Sequence, residues 1–237
     1  MACTTPLKWA FAQKIIPDNL ATGLTRFSVA NKKRGVLAPL EAQALFAAQW
    51  KDRRAYAASL LACTTGMRSG EVLALRQEDI GERALNVRHS WSAFDGLKCP
   101  KTGEARRVPL QPKVMEKLLE LARENPHGPG GFIFYGSLPG KPVDGGALLD
   151  GLHDALAGIG IDSKVRGIVF HSWRHYYAAR MADRMDADKV SRVTGHKSRA
   201  VFDEYADHIT EEKKLLRSMS IYSDRDCLMS IQIFWTQ

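Results

Sequence analysis

The sequence predicts a mainly helical domain with a small antiparallel β-sheet, an α+β arrangement. Three observations predict it. Apolar residues recur at helical spacing through most of the chain after Leu37. One region, residues 84–110, changes to the two-residue alternation of strands. Glycine and proline divide the chain into short elements, and there are no repeats or low-complexity tracts.

Residues 6–16 pattern as a helix with Trp9, Phe11, Ile15 and Ile16 available to one side, and Pro17-Asp18-Asn19 stops it. Residues 18–36 read as an irregular connector. The main domain opens at Leu37. Pro39 suits a first helical turn, and Leu40, Ala44, Leu45 and Ala48 follow at helical spacing. A second helix is expected from about Arg53 to Thr65, with Tyr56, Leu60, Leu61 and Cys63 as core candidates. Ser69 or Gly70 starts a short helix carrying Val72, Leu73 and Leu75. Residues 84–89 alternate like a strand. Leu97 to Pro109 reads as a hairpin turning at Lys101-Thr102-Gly103-Glu104, with Arg106 to Leu110 returning. A helix over Val114 to Arg123 follows, then a loop, then Phe132-Ile133-Phe134 as a short strand or buried turn. Helices are expected over 144–158 and 170–184, with shorter ones over 186–194, 198–207 and 210–219. The tail from Ile221 to Gln237 ends in an apolar, strand-like run.

At 237 residues the chain is long enough for one large domain with a core of its own. Its formal net charge of +8 favours a polyanionic partner, nucleic acid ahead of an anionic membrane. Much of that charge is local. Residues 1–36 hold Lys8, Lys14, Arg26, Lys32, Lys33 and Arg34 against the single acid Asp18, and Lys32-Lys33-Arg34 suits a linker lying along a phosphate backbone. The four cysteines form no CxxC pair and suggest neither a disulfide framework nor a zinc site, which fits reduced thiols in a cytosolic protein. The N-terminus carries no uninterrupted apolar leader, and no apolar stretch approaches the roughly 20 residues that cross a bilayer.

Four polar clusters carry the chemistry. Arg68 follows Thr65-Gly66, where glycine lets the backbone turn tightly, and Glu71 stands ready to pair with an arginine and hold it. Lys101 sits at the predicted hairpin tip, where a flexible ammonium can protonate a leaving oxygen, and Lys98 competes for that role. His171 and Arg174 stand three apart on one predicted helix and share a face. The arginine fork fits two phosphate oxygens, and the histidine can donate a hydrogen bond or move a proton. Arg174 reads as a residue placed for phosphate rather than packing, so its removal is expected to leave folding nearly intact. His175, four after His171, has the spacing of a zinc pair, yet the run lacks a HExxH glutamate and an obvious third ligand. Tyr205 lies nine residues after His196. A phenol with a free pKa near 10 needs a positive neighbourhood or a base to attack phosphorus. Together these residues suit attack on a phosphodiester, with arginines in place of metal ions as the electrostatic element.

In order, Thr65-Gly66-Met67-Arg68-Ser69-Gly70-Glu71, Lys101-Thr102-Gly103, His171-Ser172-Trp173-Arg174-His175, Gly195-His196-Lys197-Ser198 and Tyr205 resemble the catalytic domain of the tyrosine recombinases, the phage integrase family. The resemblance covers about residues 37–210. It implies the tyrosine recombinase catalytic-domain fold and site-specific DNA strand exchange without metal, ATP or other cofactor. By resemblance Arg68 and Arg174 would clamp the scissile phosphate, and His171 and His196 would hydrogen-bond to it. Lys101 would be the general acid for the 5′ oxygen, and Tyr205 would form a 3′-phosphotyrosyl link. The implied partners are double-stranded DNA and further copies of the chain, as a tetramer on two sites. The implied setting is a bacterial or phage-encoded protein of the cytoplasm. Residues 37–220 would be the catalytic domain, and 1–36 the last helix of an upstream core-binding domain plus its basic linker. Residues 221–237 would be a tail exchanged with a neighbouring subunit. Because only residues 1–36 precede the match, a non-catalytic DNA-binding remnant of a truncated integrase would be one alternative. A type IB topoisomerase-like enzyme, which uses similar chemistry, would be another.

Overall fold

The computed structural model describes residues 4–24, 34–100 and 105–182. The chain divides into two compact units, Met1–Lys33 and Arg34–Gln237. In the first, α1 spans Thr4–Ala12 and buries no residue, with Trp9 and Phe11 exposed. The predicted continuation to residue 16 does not form. Lys14 takes a left-handed φ of 58° and its N–H turns back onto the Phe11 carbonyl, which closes the helix early.

The second unit begins with an extended segment that is clasped at once. Gly35 donates its N–H to the Gly167 carbonyl, and a Cβ at this position would stand 2.0 Å from the Arg166 carbonyl oxygen, so no side chain fits. Arg166 then bonds both the Val36 carbonyl and the Glu41 carboxylate. Glu41 also caps α2 (Pro39–Ala47), accepting the Ala38 N–H at 2.8 Å. Burial opposes its ionisation, but the Arg166 fork and this N–H outweigh it and hold the carboxyl below its usual range.

Helix α3 (Arg53–Thr65) is the centre of the unit. Asp52 caps it by accepting the Arg54 N–H, and left-handed Gly66 (φ 66°) ends it. Its buried residues are mostly small: Ala55, Ala57, Ala58, Ser59, Ala62 and Thr65, with Leu60 and Leu61. Small side chains let neighbours approach closely. α5 (Pro112–Arg123), α6 (Gly145–Gly158) and α7 (Ser172–Ala182) all pack on it. α5 presents Val114, Leu118, Leu121 and Ala122, spaced 4, 3 and 1 apart, as its buried stripe. Where α6 meets α3, a Cβ at Gly151 would lie 2.4 Å from the Ala55 Cβ. An aromatic group of Phe46, Trp50, Tyr56 and Trp173 closes the end where α2 and α7 meet α3.

Short helix α4 (Ser69–Leu73) leads through a 3-10 turn to the strands. β1 (Ala84–Val87) pairs antiparallel with β4 (Arg106–Pro109), and β2 (Ser90–Ser92) with β3 (Gly96–Lys98). Leu85, Val87 and Val108 face the core. The predicted hairpin is therefore corrected. Leu97 and Lys98 pair with β2 rather than with the strand returning from Arg106, through a turn at Ala93–Asp95 ahead of Gly96 with φ 69°, while the turn expected at Lys101–Glu104 lies outside the described residues. Asp95-Gly96 permits that turn because glycine accepts the left-handed conformation without strain. Phe132 and Ile133 bridge to Arg76 and Leu75 as a buried turn. The segments expected as helices beyond residue 182 lie outside the described residues, as does the Ile221–Gln237 tail.

Two glycines of α6 test this packing. Gly151→Ala is expected to destabilise by about 1–3 kcal/mol, since two helix backbones must part. Gly158→Ala, with nothing within 4 Å of the added Cβ, should stabilise by about 0.5 kcal/mol. Denaturant melts of both variants check the pair, and equal effects would contradict the α3–α6 contact.

Candidate active site

Three of the predicted site residues fall on described elements, and all three gather where α3 ends. Gly66 turns the chain, its N–H bonded to the Ala62 carbonyl at 2.9 Å. Met67 is buried, and Arg68 becomes the N-cap of α4 in extended conformation (φ −76°, ψ 151°). Glu71, at the third position of α4, reaches back and accepts the Arg68 N–H at 3.0 Å. Gly70 is required beside it: a Cβ there would stand 2.7 Å from the Trp91 carbonyl oxygen of β2. Strand packing thus sets where α4 begins.

Glu71 does more than cap. It is 1% exposed, and its two oxygens take two forks of positive charge. Arg68 Nη1 donates to Oε1 at 3.1 Å, while Arg106 Nη1 and Nη2 donate to Oε1 and Oε2 at 2.9 and 2.6 Å. Burial works against the ionised form, yet the Arg106 fork, the Arg68 N–H and the Arg68 charge outweigh it and keep the carboxyl below its ordinary pKa.

Arg174 comes from the far end of the chain. The start of α7 is fixed by Ser172, whose N–H bonds the Val169 carbonyl and whose hydroxyl accepts the Val169 N–H. Trp173 is buried against Phe46, with ring centroids 5.2 Å apart. One residue on, Arg174 is 1% exposed, and its Nη1 donates to the Gly66 carbonyl oxygen at 2.8 Å. The guanidinium is therefore part of the core where α7 crosses α3. This corrects the expectation that it serves phosphate alone: removing it strands a buried carbonyl and opens a cavity, a loss of about 2–4 kcal/mol.

His171 stands at the opening of α7, half-buried, with its ring edge-to-face on His175 at 5.2 Å. Its pKa is lowered from the usual 6.5 to about 4. Burial is the largest cause, followed by the positive charges of His175, Arg34, Arg174 and Arg68. The same ring thus senses Arg68, Arg174 and the first residue of the clasped segment, in a pocket of positive potential with a neutral imidazole inside it. Among the described residues no cluster of three or more His, Cys, Asp or Glu accompanies the His171–His175 pair.

Lys101, His196 and Tyr205, expected at this site, lie outside the described residues. Lys98, the competitor for the acid role, is exposed on β3 and paired with Asp95. Two residues join the pocket that the motifs did not single out. Arg106 is one, and its only sequence signal is an arginine on the strand following Lys101. Arg34 is the other, and only through its charge, which helps lower the His171 pKa; from sequence it is part of a basic linker run.

A sequence model of the phage integrase family matches residues 36–212. Among solved structures, the integrase of the Tn1549 transposon in complex with transposon right-end DNA is 17% identical. It superposes with a TM-score of 0.67 over 93% of this chain and 78% of that one. A lambda integrase dimer bound to a core site is 21% identical, with a TM-score of 0.60 over 85% of this chain and 69% of that one. XerA recombinase is 20% identical, with a TM-score of 0.60 over 86% and 71%. At these identities the likeness is one of fold. No curated protein sequence matches the chain.

The His171 shift has a signed consequence. The unfolded chain takes up this proton as pH falls through about 6.5, whereas the folded ring does so only near 4. Between those values the unfolded form binds more protons, so the ring's contribution to stability falls as pH falls. His171→Asn should remove roughly 1–2 kcal/mol of acid destabilisation across that window, after discounting for the ring's partial exposure. Denaturant melts at several pH values read it out, and superimposable pH curves for both proteins would contradict it.

Proposed function

The chain belongs to the phage integrase family, and on that footing we propose that it is a site-specific DNA recombinase working through a 3′-phosphotyrosyl intermediate. One observation carries the reading: the 2.8 Å bond from Arg174 to the Gly66 carbonyl, which brings two motifs 108 residues apart to one pocket. Arg68 is two residues from Gly66, and His171 is three from Arg174 and within reach of both charges.

In the proposed reaction the scissile phosphate lies against Arg68 and Arg174, whose charges offset the negative charge growing on its non-bridging oxygens. Tyr205 attacks phosphorus through its phenolic oxygen. The P–O5′ bond breaks, its electron pair goes to the 5′ oxygen, and Lys101 supplies the proton that completes the hydroxyl. His171, whose ring is neutral at pH 7 because its pKa is lowered to about 4, hydrogen-bonds the phosphate, and the phenolic proton passes to solvent. His196 hydrogen-bonds the phosphate. Attack by a 5′ hydroxyl from a second strand reverses these steps and frees Tyr205, so the bond energy is conserved and neither metal nor ATP enters. Double-stranded DNA is the substrate, and copies of the chain assemble on paired sites. The basic segment ending in Arg34 lies along the phosphate backbone.

A duplex nicked beside the cleavage point, so that the released fragment diffuses away, tests the reading. The wild type should accumulate a covalent protein–DNA adduct, and Tyr205→Phe should form none. Apparent affinity should fall with salt by a log–log slope of about −0.9 for each phosphate contact. An adduct that persists in Tyr205→Phe overturns the mechanism. The absence of adduct in the wild type on cognate DNA favours a non-catalytic DNA-binding role.

A further inference from the structure

We propose that Arg106 is a positioning residue for strand cleavage: by gripping Glu71 at both oxygens it fixes the direction in which Arg68 meets the phosphate. The inference rests on the recombinase reading above and concerns a residue that touches no substrate in it.

The geometry divides the labour between two arginines. Glu71 is buried, so its charge has lost its water and requires replacement donors. Arg106 supplies two of them through one planar fork, and its own side chain is 12% exposed. Arg68 supplies one side-chain donor and one backbone N–H, and its side chain is 25% exposed. The inner arginine therefore satisfies both carboxylate oxygens, and the outer one meets the carboxylate through one Nη.

A fork has one in-plane solution on a carboxylate, whereas an ammonium has many. With the Arg106 fork in place, the Glu71 plane is set and the Arg68 tether has one direction. Without it, a carboxylate short of donors draws the Arg68 fork inward, away from an incoming phosphate. Arg106 is itself held firmly. It opens β4 and pairs with Val87 of β1, whose side chain is in the core. The link runs from sheet to carboxylate to helix cap to phosphate-binding arginine, across 35 residues of sequence between Glu71 and Arg106.

Arg106→Lys tests this, since it keeps the charge and abolishes the fork. Two readouts are taken on protein whose backbone amide spectrum away from the site is unchanged. The first is the Arg68 Nε–Hε NMR signal without DNA, expected as one resonance in the wild type and broadened or shifted in Arg106→Lys. The second is single-turnover adduct formation on the nicked duplex. It is expected to fall about 10–10²-fold with DNA affinity changed less than about threefold. Because the effect passes through Arg68, it should largely vanish when Arg106→Lys is placed in an Arg68→Lys background. An unchanged Arg68 resonance overturns the proposal, and so does a cleavage defect of full size in that background. If the wild type itself forms no adduct, the recombinase reading fails, and the Arg68 signal alone decides whether Arg106 positions it. Should Arg106→Lys not fold, Arg106→Gln removes the fork, keeps one amide donor for Glu71 and leaves Arg68 facing the same carboxylate. Both readouts then apply to that protein with the same outcomes.

Discussion

Two ionised groups inside a helical core set the terms for everything around them. Arg174 and Glu71 are each about 1% exposed, a condition that costs several kcal/mol per ion unless donors and acceptors replace the lost water. Part of the replacement comes from the Arg106 fork on β4 and part from helix ends. Gly66 offers a carbonyl because α3 stops there, and the Arg68 N–H is available because α4 starts there. Helix ends leave polar groups unused, and here those groups receive the buried charges. The break between α3 and α4 is thus the structural origin of the pocket.

The apolar framework exists to hold that break still. α3 carries small residues where α6 and α7 press on it, and the aromatic group around Phe46 and Trp173 fixes α7 one residue before Arg174. A shift of α7 by one turn would carry the guanidinium about 5 Å from its carbonyl. Gly70 imposes a matching constraint from the other side, since β2 lies directly against α4. Helix packing sets one arginine and strand packing sets the other. Both constraints are short-range and steric, and interiors packed at crystal-like density transmit them with little give.

Much of this was legible in the sequence where a local signal decides the outcome. Arg53–Thr65 was readable from its core candidates Tyr56, Leu60, Leu61 and Cys63, and α2 because Pro39 marks its first turn. Arg68, His171 and Arg174 were readable as a set from their residue types and order. Strand partners were not, since alternation tells which face is buried but not which strand lies alongside. The depth of Arg174 was hidden for a related reason: its partner is a main-chain carbonyl, which has no signature in side-chain spacing. Arg106 was hidden because its carboxylate lies 35 residues away and nothing local marks the pair.

The central claim is that Arg68, His171 and Arg174 form one anion site. The most direct measurement is an NMR titration with a cognate duplex, following the two arginine Nε–Hε signals and the His171 ring nitrogens together. The account requires all three to move on a single saturation curve, with the His171 pKa rising as phosphate offsets the positive field. Separate curves for the two arginines, or a silent Arg174, would show that no common site exists.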